Sequence, residues 1–61
     1  MKIIRENTFA AACYDQNSIA DLETALAEEP DPQDMADWGL TADEWREEIE
    51  LAIAAKREDA Q

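Results

Sequence analysis

Histidine is absent from this 61-residue chain, which also has one cysteine, one glycine and only five basic residues. Each shortage removes a class of function. Without histidine there is no imidazole to activate a serine or cysteine nucleophile, and no Glu-x-x-His pair for a di-iron bundle. A single thiol, Cys13, closes no internal disulfide and fits a reducing compartment. Its neighbours Ala10, Ala11, Ala12 and Tyr14 are apolar, so it reads as a packed, inert thiol whose pKa is raised by the surrounding acids. No apolar run approaches membrane length: Ile3 and Ile4 are cut off at once by Arg5 and Glu6, and no signal peptide is visible. The expectation is a soluble, cytoplasmic protein.

What the chain has is acid. Sixteen Asp and Glu residues give a formal net charge of -11, and from Glu6 to Glu44 there are eleven acids with no Lys, Arg or His between them. Such a surface repels nucleic-acid phosphates and anionic membranes and attracts basic protein patches or cations. Direct nucleic-acid binding and membrane binding are therefore not expected. At this length the chain is a single domain, 1–61, near the lower limit for folding alone, where self-association would add useful burial.

The fourth and longest element is the best specified. Thr41-Ala42-Asp43-Glu44 matches a capping box, with Leu40 and Trp45 at the two positions of a hydrophobic staple. This predicts a helix from about Ala42 to Arg57, with Lys56 and Arg57 complementing its C-terminal dipole and 58–61 as a frayed tail. Trp45, Ile49, Ala52 and Ile53, with Ala42, share one face, and Leu51 sits off that stripe. Ser18, followed by Asp21, starts a helix from about Ile19 to Glu28 that buries Ile19, Leu22 and Leu26, and Pro30 stops it. Asp31 as cap and Pro32 at the first helical position start a short helix to about Trp38, closed by Gly39. Residues 1–15 admit two readings. Thr8 to Tyr14 forms a helical turn or two after a short Lys2–Arg5 strand, or the two pieces pair as a hairpin around Glu6-Asn7. The fold class is all-α, a small bundle of three to four short helices, with that N-terminal strand or hairpin as the open question.

Three kinds of site are worth weighing. Glu28, Glu29, Asp31, Asp34, Asp37, Glu47, Glu48 and Glu50 are the candidate partner-binding acids, spaced irregularly over two helices much as charge is along a nucleic-acid backbone. Solvation and helix capping account for some of them. Metal binding fits poorly, since Pro32-Gln33 breaks the alternation a calcium loop needs, and no metal or cofactor is expected. Catalysis fits worse, because so short a chain has little room for a walled pocket that would split carboxylate pKa values. Trp38 is a candidate exposed aromatic contact, whereas staple geometry places Trp45 in the core. Leu51, Ala54 and Ala55 form a small-residue strip suited to a close contact, either with the N-terminal segment or across a homodimer.

Asn17-Ser18-Ile19-Ala20-Asp21-Leu22-Glu23 resembles, over seven residues, the serine-bearing helix start of acyl carrier proteins. Asn17 stands where that family has Asp, and too few residues precede Ser18 for its long first helix, so Ser18 is read as an N-cap. In length and composition the chain resembles small acidic proteins of bacteria and their phages, though no motif ties it to one family. The expected function is a non-enzymatic interaction module that binds, and in its most concrete form inhibits, a basic nucleic-acid-binding protein. The alternative is a self-associating structural or accessory module whose acids serve only solubility.

Overall fold

A computed structural model describes Ile4 and residues 7–59. Asn7 enters the left-handed backbone region at φ 62°, which Asn visits more readily than most residues because its short amide can bond locally. Thr8 then caps the first helix, its Oγ1 accepting from the Ala11 N–H at 3.2 Å, and α1 runs over Phe9–Gln16. This overturns the hairpin reading: a side-chain cap followed by three alanines favours helix over a sparsely β-branched strand. Apart from Ile4, the Lys2–Arg5 strand expectation lies outside the described residues, among which no strand occurs.

Only Asn17 and Ser18, both extended, separate α1 from α2, Ile19–Ala27. Ser18 and Asp21 close a reciprocal capping box: the Asp21 N–H donates to Ser18 Oγ at 3.2 Å, and the Ser18 N–H donates to Asp21 Oδ2 at 3.3 Å. Glu28 ends α2 as its C-cap. Asp31 caps α3, Pro32–Trp38, accepting from the Gln33 N–H at 2.9 Å. Gly39 ends α3 in the left-handed region at φ 67°. The Gly39 N–H bonds Ala36 O at 3.2 Å and the Leu40 N–H bonds Met35 O at 2.9 Å, the two hydrogen bonds of a Schellman motif.

The capping box at Thr41 is formed as its spacing implies, with Glu44 N–H to Thr41 Oγ1 at 3.2 Å and Thr41 N–H to Glu44 Oε1 at 3.0 Å. The helix it starts, α4, runs Ala42–Asp59 and is the longest of the four. It thus continues through Glu58 and Asp59, which the sequence reading placed in a tail; neither glycine nor proline is there to stop it.

The architecture is an all-α bundle in which α4 is the axis and α1 and α2 pack against it. Trp45, Ile49, Ala52 and Ile53 of α4 meet Cys13 of α1 and Leu22 of α2 in the core. Ala42, placed on the same stripe by periodicity, is exposed. Phe9, Tyr14, Ile19, Ala25, Leu26, Met35 and Leu40 close the core from the sides. The radius of gyration is 10.9 Å, close to the roughly 10.5 Å of a compact chain of this length. Among the described residues no helix is long and apolar enough to cross a membrane.

Candidate functional site

The eight candidate acids separate into three situations. Asp31 is engaged, its carboxylate capping α3. Glu48 is half-buried on the flank of α4, where its charge helps raise the Cys13 thiol. Glu28, Glu29, Asp34, Asp37, Glu47 and Glu50 are exposed, and their carboxylates make no hydrogen bond or ion pair to another described residue. Two of these six sit at the α2–α3 junction, two on α3 and two one turn apart on the outer side of α4. By contrast Asp21 and Glu44 cap helices, and Glu23 pairs with Arg57 across α2 and α4 at 3.2 Å. That ion pair is 59% and 55% exposed at its two ends, so it contributes little, ~0–1 kcal/mol.

Beside the acids lies a ladder of three aromatic rings from core to surface. Trp45 is buried as the staple position implies. Phe9 stacks on it with centroids 4.2 Å apart and planes inclined by 26°. Trp38 meets Phe9 at 5.7 Å and 54°, a tilted geometry in which ring edge and ring face attract. Trp38 remains 43% exposed, the one exposed large apolar side chain among the described residues. The indole N–H of Trp45 is buried without a hydrogen-bond acceptor among the described residues.

The small-residue strip on α4 does not form one surface. Ala55 is only 8% exposed and belongs to the core, whereas Leu51 and Ala54 are half-buried. Those two line a shallow hollow with Glu47, Glu48 and Glu50. A second hollow is lined by Tyr14, Ser18, Ile19, Ala20, Lys56 and Asp59, and there Lys56 Nζ stands 4.9 Å from the centre of the Tyr14 ring.

Cys13 is 3% exposed. Burial pushes its thiol up to about 11, with the Glu48 charge adding to the effect, so it is protonated at neutral pH and a poor nucleophile. Ser18 holds the helix start of α2 as its N-cap. Among the described residues, no three carboxylate or thiol side chains converge in a way that would hold a metal ion.

No family model, curated protein or solved structure matches this chain. Reading the sequence alone assigned Phe9 no role. Its signal was its place directly after the Thr8 cap, which fixes it on the first turn of α1. The Tyr14–Lys56 contact had no such signal, because its partners lie on different helices.

Proposed function

We propose that this chain is a non-enzymatic acidic interaction module that binds a basic surface on a larger protein. The most concrete version is occupation of a nucleic-acid-binding cleft, where its carboxylates stand in for phosphates. The observation that carries this reading is the set of six exposed carboxylates, Glu28, Glu29, Asp34, Asp37, Glu47 and Glu50, that make no hydrogen bond or ion pair to another described residue. Capping accounts for Asp21, Asp31 and Glu44, and an interhelical pair for Glu23. For the six, mutual repulsion is an electrostatic burden on a chain of net charge -11, relieved when a basic surface approaches. The site of action would be the cytoplasm, where a single buried thiol stays reduced.

The self-associating alternative has a narrower base. With Ala55 in the core, a seam through Leu51 and Ala54 would bring Glu47 and Glu50 of two copies face to face, and like charges directly opposed are unfavourable.

The test is a tagged pull-down from lysate of the source organism, eluted first with duplex DNA and then with a salt gradient. Wild type is compared with a triple reversal, D34K/E47K/E50K. The expected result is a basic protein released by both eluants and not retained by the reversed chain, whose far-UV spectrum is unchanged. Retention by the triple variant, or capture of untagged copies alone, would overturn the proposal.

A further inference from the structure

Between Glu28 and Glu44 the chain carries seven acids, no base and one exposed tryptophan. Trp38 is not a loose side chain. Its ring is braced by Phe9, which is itself stacked on the buried Trp45, so a ligand that lies on it need not freeze it. Asp34 precedes it by four residues in α3, which places the two on neighbouring positions of one helical face. Its carboxylate has no partner among the described residues. An aromatic surface and an unengaged carboxylate one helical turn apart are the two halves of a cation receptor: the ring face attracts positive charge and the carboxylate accepts its hydrogen bonds.

Resting on the acidic-module reading above, we propose that Trp38 and Asp34 together receive an arginine side chain from the basic partner. Charge complementarity selects this occupant over an apolar one, because Asp31 and Asp37 add further negative charge to the same short segment. Arginine is favoured over lysine because its planar guanidinium stacks on an indole and still presents a fork of N–H donors to a carboxylate, whereas an ammonium is a strongly hydrated point charge. The molecule already makes the lysine form of such a contact within itself, where Lys56 lies over Tyr14.

Titration with two basic peptides of equal charge, one bearing arginine and one lysine, tests the proposal. Affinity is measured calorimetrically near physiological salt, and the indole N–H signal of Trp38 is followed by NMR. The arginine peptide should bind about twofold to fivefold more tightly and shift the Trp38 signal. Trp38→Leu should remove that preference while the lysine peptide binds as before, and Asp34→Asn, which keeps the ring, should remove it too. Equal, salt-sensitive binding of both peptides, or an arginine preference that survives in both variants, would overturn the receptor and leave the acidic-module reading standing. If neither peptide binds wild type, both readings fail. A concentration-dependent dimer abolished by Trp38→Leu would assign the ring to a second copy of the chain and overturn the arginine proposal.

Discussion

Phe9 and Trp45, on the first turns of α1 and α4, stack with ring centroids 4.2 Å apart. This contact ties the first helix to the last and supports the exposed Trp38 from beneath. Removing the ring in Phe9→Ala should destabilise the domain by about 3 kcal/mol, from lost burial, a cavity and a lost aromatic pair. Trp45→Phe keeps the stack and deletes the indole N–H that has no acceptor among the described residues. It should therefore lower stability by less than about 1 kcal/mol, since removing an unsatisfied buried donor offsets the lost volume. Urea unfolding of the two variants checks the ordering, and a Trp45→Phe loss as large as that of Phe9→Ala would contradict it.

Cys13 links stability to alkaline pH. Its thiol is raised from 9.0 to about 11 on folding, so between these values the native state holds a proton that the unfolded chain releases. Stability due to this group is fully present below pH 9 and is lost as pH rises toward 11, by on the order of 2 kcal/mol. Cys13→Ala should flatten that part of the stability profile, measured as unfolding free energy at successive pH values. An unaltered slope would mean that other groups set it. At pH 8, thiol alkylation should be much slower in native protein than in urea.

Gly39 offers a clean measure of backbone strain. Its φ is 67° and no atom of the described residues lies within 4 Å of a Cβ added there, so Gly39→Ala meets no clash among them and costs the left-handed conformation, about 1 kcal/mol. Gly39→Asn should cost less, because Asn tolerates that region. Thermal melts of the three proteins should rank Gly, Asn, Ala from most to least stable.

Salt should stabilise the fold. With a net charge of -11 and its interhelical ion pair exposed, screening removes more repulsion than attraction. Tm should rise by several degrees between low and molar sodium chloride, as ~1 kcal/mol shifts a domain of this size by roughly 4–8 °C. A falling Tm would show that attractive pairs dominate.

How much of this was legible in the sequence follows from the range of each interaction. Thr41 with Glu44, Ser18 with Asp21, and Asp31 with Pro32 act over one helical turn, so the starts of α4, α2 and α3 could be read directly. Gly39 closed α3 for the same reason. The first helix stayed ambiguous because Ala10, Ala11 and Ala12 carry no periodicity, and Thr8 lacks a carboxylate three residues on to complete a box. At the candidate site, the exposure of the six unengaged acids was expected from their off-core positions. The half-burial of Glu48 was not, because it sits on the flank of the α4 stripe, and the sequence left open whether Ala55 would be buried within the chain or between two copies. Phe9 meets Trp38 and Trp45 only after the whole bundle has assembled, and no local pattern announces that.

That α1 and α2 find their principal packing surface on α4 bears on how the protein is made. Synthesis proceeds from the N-terminus, so of the four helices among the described residues the one on which α1 and α2 pack is the last to leave the ribosome. Until it emerges, the first three have little to pack against, and isolated helices of this length are marginal in water. The nascent chain therefore travels as an unfolded, highly charged thread, and its acids keep it from aggregating before there is a core to hide in. Assembly should then occur as one event once α4 has emerged, rather than helix by helix.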